Sequence, residues 1–73
     1  MAYTIYDTGT SSTSTCERLD DAIRVVNQEL IKEELEGRII DREREGRWAI
    51  YDGPVIKLLW IETDSGSVVS FSR

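Results

Sequence analysis

The sequence predicts an α+β fold: a strand, one long helix, then three or four strands, with the helix packed on a small antiparallel sheet (meander). Three observations predict it. Residues 15–36 carry apolar side chains at helical spacing. The other apolar residues alternate at strand spacing between Gly, Asp and Pro turn signals. The run Val55-Ile56-Lys57-Leu58-Leu59-Trp60-Ile61 is apolar on both alternations of an extended chain. In that run Val55, Leu59 and Ile61 face one way and Ile56, Leu58 and Trp60 the other. One helix covers one face of a small sheet, so the second face is left for another molecule.

Ala2 to Tyr6 reads as a strand, because Tyr3 and Ile5 alternate with Thr4 and Tyr6 and all four suit a pleated surface. Residues 8–15, Thr-Gly-Thr-Ser-Ser-Thr-Ser-Thr, form a low-complexity tract without an apolar anchor and read as a flexible surface connector. Ser14, three residues before Glu17, predicts a capping box, and Asp20 and Asp21 suit the positive end of a helix dipole. A helix over about 15–36 follows, stopped by Gly37, with Leu19, Ala22, Ile23, Val26 and Leu30 on the stripe facing the sheet. Ile31 and Leu35 lie together on roughly the opposite side. Either later strands cover them or they are a contact point for a partner.

Arg38-Ile39-Ile40-Asp41-Arg42-Glu43-Arg44-Glu45 fits a solvated edge strand or a helical continuation, and Gly37 with the Ile pair favours the strand. Gly46 turns into a strand at Arg47–Tyr51, with Trp48 and Ile50 on one face. Asp52-Gly53-Pro54 is a turn signal. A strand from Val55 to about Thr63 follows, and Asp64-Ser65-Gly66 leads into a last strand at 67–72.

With 73 residues the chain is a single small domain, near the size at which one core is barely sufficient. Cys16 is the only cysteine, so no internal disulfide is possible. Met1-Ala2-Tyr3-Thr4 lacks the basic and apolar regions of a signal peptide, and no apolar stretch reaches the roughly 18 residues of a membrane span. A soluble, cytoplasmic protein with no membrane partner is expected. Fourteen acidic residues against nine basic ones give a net charge of −5, which opposes direct nucleic-acid binding.

The chain contains no histidine, so Ser-His and Cys-His pairs cannot form. Cys16 reads as structural rather than reactive. The carboxylate pairs Asp20-Asp21 and Glu33-Glu34 read as solvated, and Asp20 with Arg24 as a helix-surface ion pair. No C-x-x-C, calcium-loop, phosphate-loop or dinucleotide motif is present. The expectation is a protein that is not an enzyme and takes no cofactor or metal.

The aromatic residues Trp48, Trp60 and Tyr51 suit a core, a base-stacking platform or a protein interface. Within 48–73 the only cations are Lys57 and Arg73, against Asp52, Glu62 and Asp64, so a protein partner is favoured over RNA. The leading function is a protein-binding module, a small regulator or inhibitor that occludes a partner, expected as a homodimer. Its candidate contact residues are Trp60, Leu58, Ile56, Tyr51, Ile31 and Leu35. In composition alone, the chain is similar to the small inhibitors that phages deploy against host defence complexes, anti-CRISPR proteins included. Two alternatives stand beside it: a subunit of a larger assembly, and an acidic DNA mimic whose helix presents Glu29, Glu33 and Glu36 within one sector.

Overall fold

The computed structural model describes residues 1–43 and 45–73. Tyr3–Asp7 (β1) and Ser12–Cys16 (β2) form an antiparallel hairpin, and Leu19–Leu35 (α1) is the helix. Ile39–Arg42 (β3), Trp48–Tyr51 (β4) and Val55–Glu62 (β5) follow as a meander. All five strands join one antiparallel sheet in the order β2-β1-β5-β4-β3, so the first strand lies beside the last. The α+β architecture is the one expected, with one strand more before the helix.

That extra strand corrects the reading of residues 8–15 as a connector. Only the turn at its start fits that description: Gly9 N–H donates to Asp7 Oδ1 at 2.9 Å, and Thr8 N–H donates to the Leu58 carbonyl at 3.1 Å. The rest pairs with β1, Tyr3 opposite Cys16 through Asp7 opposite Ser12. Threonine favours extended backbone, and a ladder satisfies the main chain without apolar side chains. Cys16 supplies the missing anchor by packing against the core.

Because β2 uses Ser14, the capping box with Glu17 does not form. The helix instead begins after Arg18, whose backbone is extended and whose side chain makes no capping hydrogen bond. Asp20 and Asp21 do occupy the first turn. Their ion pairs are with Arg18 at 3.1 Å and Arg24 at 3.2 Å respectively, in place of the expected Asp20–Arg24 pair. The apolar stripe is as read: Ala22, Val26 and Leu30 are fully buried, and Leu19 and Ile23 pack beside them. They meet Ile5, Trp48, Ile50, Leu59 and Ile61 from the sheet.

The helix stops where the sequence places the stop. Gly37 takes a φ of 89°, its N–H donates to the Glu34 carbonyl at 3.0 Å, and Arg38 N–H donates to the Glu33 carbonyl at 3.1 Å. These two bonds are the Schellman arrangement, which needs a residue free of Cβ strain at the left-handed position. Past it the segment 38–45 is a strand at Ile39–Arg42, while Arg44 lies outside the described residues.

The strand expected at 67–72 shrinks to one bridge, Glu62 opposite Val68, and a 2.9 Å hydrogen bond from Val69 N–H to the Ile61 carbonyl. β4 already occupies that edge of β5 as far as Leu59, so only the end of β5 is free to pair. The tail serves instead as a side wall. Phe71 lies against Trp48 with ring centroids 5.6 Å apart, Arg42 donates to the Phe71 carbonyl at 3.3 Å, and Arg73 reaches Glu34 at 3.0 Å.

Leu30→Ala is expected to lower unfolding free energy by about 2–5 kcal/mol, since it empties the centre of the helix–sheet contact. Ile31→Ala, one residue along but on the outer side, is expected to change it by less than about 0.5 kcal/mol. Urea unfolding of both variants checks the contrast.

Candidate functional site

The register decides which side chains share a face. Ile5, Ile61, Leu59, Trp48 and Ile50 stand opposite one another along the ladder and all point toward α1. The intervening residues point the other way. No helix or strand among the described residues covers that second face.

At its centre is Trp60, which pairs across the sheet with Tyr6. Their rings stack with centroids 5.2 Å apart and planes 13° from parallel. From the β4 side the Arg47 guanidinium lies over the Trp60 ring, 5.0 Å from its centroid, while pairing with Glu45. Trp60 Nε1–H donates to Glu62 at 2.8 Å. An aromatic pair and a cation over the ring each add roughly 0.5–1 kcal/mol of local order, so the indole is held in one orientation. Beside it, Tyr6, Thr8, Ser11, Thr13 and Trp60 line a shallow hollow of about 270 Å³.

The face continues past Trp60. Leu58 is half-buried, and Ile56 remains 43% exposed. Between Ile50 and Tyr51 the pairing slips by one residue, so that Tyr51 stands opposite Val55. Val55, beside that irregularity, is 47% exposed, whereas Leu59 and Ile61, with which it alternates, are buried. Tyr51 donates its hydroxyl to Glu43 at 3.2 Å, and burial together with that carboxylate raises its pKa, keeping the phenol a neutral donor. Ile39, opposite Tyr51, extends the apolar surface to the far edge.

Trp60, Leu58, Ile56 and Tyr51 are thus brought onto one surface. Ile31 and Leu35 are not part of it: they are 50% and 84% exposed on the outward side of α1, away from the sheet. The later strands do not cover them. Three members of the open face were not singled out from the sequence, namely Tyr6, Arg47 and Ile39. Tyr6 carried a signal in its alternation with Ile5, but its partner depends on β1 lying beside β5.

The acidic sector is a different matter. Glu33 is 5% exposed and sits under the helix end, not on a solvated face. Arg38 reaches it at 3.0 Å and Lys57 at 3.8 Å. Lys57 also binds Glu29 at 3.0 Å and Asp7 at 3.6 Å, Arg38 pairs with Glu36, and Arg73 pairs with Glu34. The hydrogen bond from Arg73 holds the Glu34 carboxyl below its ordinary range. Glu29, Glu33 and Glu36 therefore do not form the unopposed acidic stripe that a DNA mimic requires, because each is matched to a cation by the fold.

Burial by itself would lower the Lys57 pKa, but the Glu29 hydrogen bond and the Asp7, Glu29 and Glu33 charges outweigh it and the net shift is upward. Among the described residues no group of three His, Cys, Asp or Glu side chains is placed to hold a metal ion, and no helix is long and apolar enough to cross a membrane. No protein-family model, curated protein or solved structure matches the chain.

A lysine whose folded pKa is raised contributes stability that is complete below its unfolded value, about 10.4, and lost as pH rises through the folded one. Urea unfolding from pH 9 to 11.5 is expected to show a steeper alkaline decline in the wild-type chain than in Lys57→Met. Equal slopes would remove Lys57 from the alkaline response.

Proposed function

We propose that the chain is a non-enzymatic protein-binding module, a small cytoplasmic regulator or inhibitor that seats its open sheet face on a protein partner and covers a surface the partner needs. The observation that carries this reading is the Tyr6–Trp60–Arg47 stack, set among Leu58, Ile56 and Tyr51 with no covering element. Trp, Tyr and Arg are the residue types that dominate binding energy at interfaces. Their mutual contacts fix them before binding, so little side-chain freedom is lost on association.

The surroundings of the stack also indicate the kind of partner. Asp41, Glu43, Glu45 and Glu62 stand around the aromatic centre, and Arg47 is engaged with Glu45. A phosphate backbone meets repulsion there, whereas an apolar protein patch bordered by Lys or Arg is complementary. An inhibitor of the anti-defence type would act in this way, by occupation alone.

Affinity capture from the native host with the full chain tests the reading. Trp60→Ala is expected to weaken the captured complex by about 2 kcal/mol or more, roughly thirtyfold, because it removes an anchor from the interface centre. Leu35→Ala, on the far side of the molecule, is expected to leave binding unchanged. With circular dichroism confirming folded variants, a partner retained at full affinity by both Trp60→Ala and Tyr6→Ala rejects the proposed face.

A further inference from the structure

The two edges of the sheet are built differently. At one edge β3 carries Asp41 and Arg42, charges of the kind that discourage a passing strand from pairing. At the other, β2 reads Ser12-Thr13-Ser14-Thr15-Cys16: no charge, no proline, and a regular register with β1 along its full length. Its four hydroxyl residues are exposed. An uncharged, regular edge of strand-forming residues is a template for another strand.

The phase of the ladder shows which backbone groups are free. Thr8 N–H donates to Leu58 opposite it, so the even-numbered residues of β1 bond toward β5 and the odd-numbered ones toward β2. Tyr3, Ile5 and Asp7 thus engage Cys16, Ser14 and Ser12, and the N–H and C=O groups of Thr13 and Thr15 point outward.

The strand is also nearly the same read in either direction, with the Cys16 thiol in place of a serine hydroxyl. A two-fold axis through Ser14 sets Thr13 opposite Thr15 of a second copy, and Thr15 opposite Thr13, giving four main-chain hydrogen bonds between the outward groups. Ser14 then faces Ser14 as a non-hydrogen-bonded pair with Cα atoms about 4.5 Å apart. No charge meets a like charge, and Thr–Thr pairs across antiparallel strands are favourable. The helix side agrees. Val25 is 42% exposed beside a hollow of about 130 Å³ lined by Ser12, Ser14, Val25 and Glu29, so the helix layer is incomplete where a second helix would arrive.

We infer that β2 is a homodimer seam, where two copies of this chain pair antiparallel about Ser14 to form one continuous ten-stranded sheet. The seam lies at the sheet edge and is distinct from the open aromatic face. It leaves both aromatic stacks free on a common surface, so the dimer is a bivalent form of the proposed module. The inference does not depend on that module's partner.

The test uses the full chain. Light scattering at micromolar and higher concentration is expected to give twice the 8.4 kDa chain mass. The Thr13→Lys/Thr15→Lys variant opposes like charges across the axis and is expected to weaken dimerisation by about tenfold or more. In a Cys16→Ser background, Ser14→Cys is expected to cross-link under mild oxidation, since the Cα spacing lies within the roughly 4.4–6.8 Å window of a disulfide. Asp41→Cys at the other edge is expected not to. A strict monomer, or a dimer that survives the lysine pair and fails to cross-link at position 14, overturns the seam. If Trp60→Ala alone dissociates the dimer, the open face is the interface and the seam is again rejected. Loss of binding to a foreign partner in Trp60→Ala, with the dimer intact, bears only on the proposed function.

Discussion

The structure depends on one constraint: a single helix has to cover a five-stranded sheet. Seventeen residues make a helix about 25 Å long, and five strands span about 19 Å. The helix is therefore long enough to reach from β2 at one edge to β3 at the other, and it touches both. It has no means of covering two sides. Every fully buried large side chain belongs to this one layer: Val26 and Leu30 from the helix, Ile50 and Ile61 from the sheet. The other side of the sheet is left with aromatic and branched residues that stabilise one another by stacking and by contact with an arginine.

The same constraint accounts for the buried charges. Near its C-terminal end the helix meets the sheet at Lys57, and Glu29 and Glu33 turn inward to meet the ammonium while Asp7 approaches from β1. Removing one member leaves the others short of a partner in a poorly hydrated place, which costs more than the pair contributes when intact. Arg38 adds a local constraint, because its main chain caps the helix on the same Glu33 that its side chain binds. The position of β3 follows from how the helix ends.

Much of this was legible in the sequence. The apolar stripe of the helix, its glycine stop and the two-sided character of β5 follow from spacing alone, and they fix the α+β class and the uncovered face. What could not be read was pairing between distant segments. Residues 12–16 become a strand because β1 offers an edge, and composition carries no record of that offer. The Glu33–Lys57 contact left a trace that only makes sense in pairs: Glu33 falls three residues beyond Leu30 on the buried stripe, and Lys57 interrupts the helix-facing alternation of β5. One charge at an apolar position looks like solvation; two of opposite sign on facing elements describe a bridge. Tyr6 and Arg47 stayed out of sight for the same reason, since each acquires its role from a neighbour across the ladder.

The central placement of β1 has a consequence for how the chain comes to be folded. Its partner on one side follows it almost at once, but its partner on the other is separated from it by some fifty residues and is the last of the five strands in chain order. Without residues 55–62 the helix keeps only part of its core, since Ile5, Trp48 and Ile50 remain while Leu59 and Ile61 are missing. Such long-range closure is slow compared with helix formation. The sheet is therefore completed only when segments some fifty residues apart have met, and deleting β5 divides it into the β1–β2 and β3–β4 pairs.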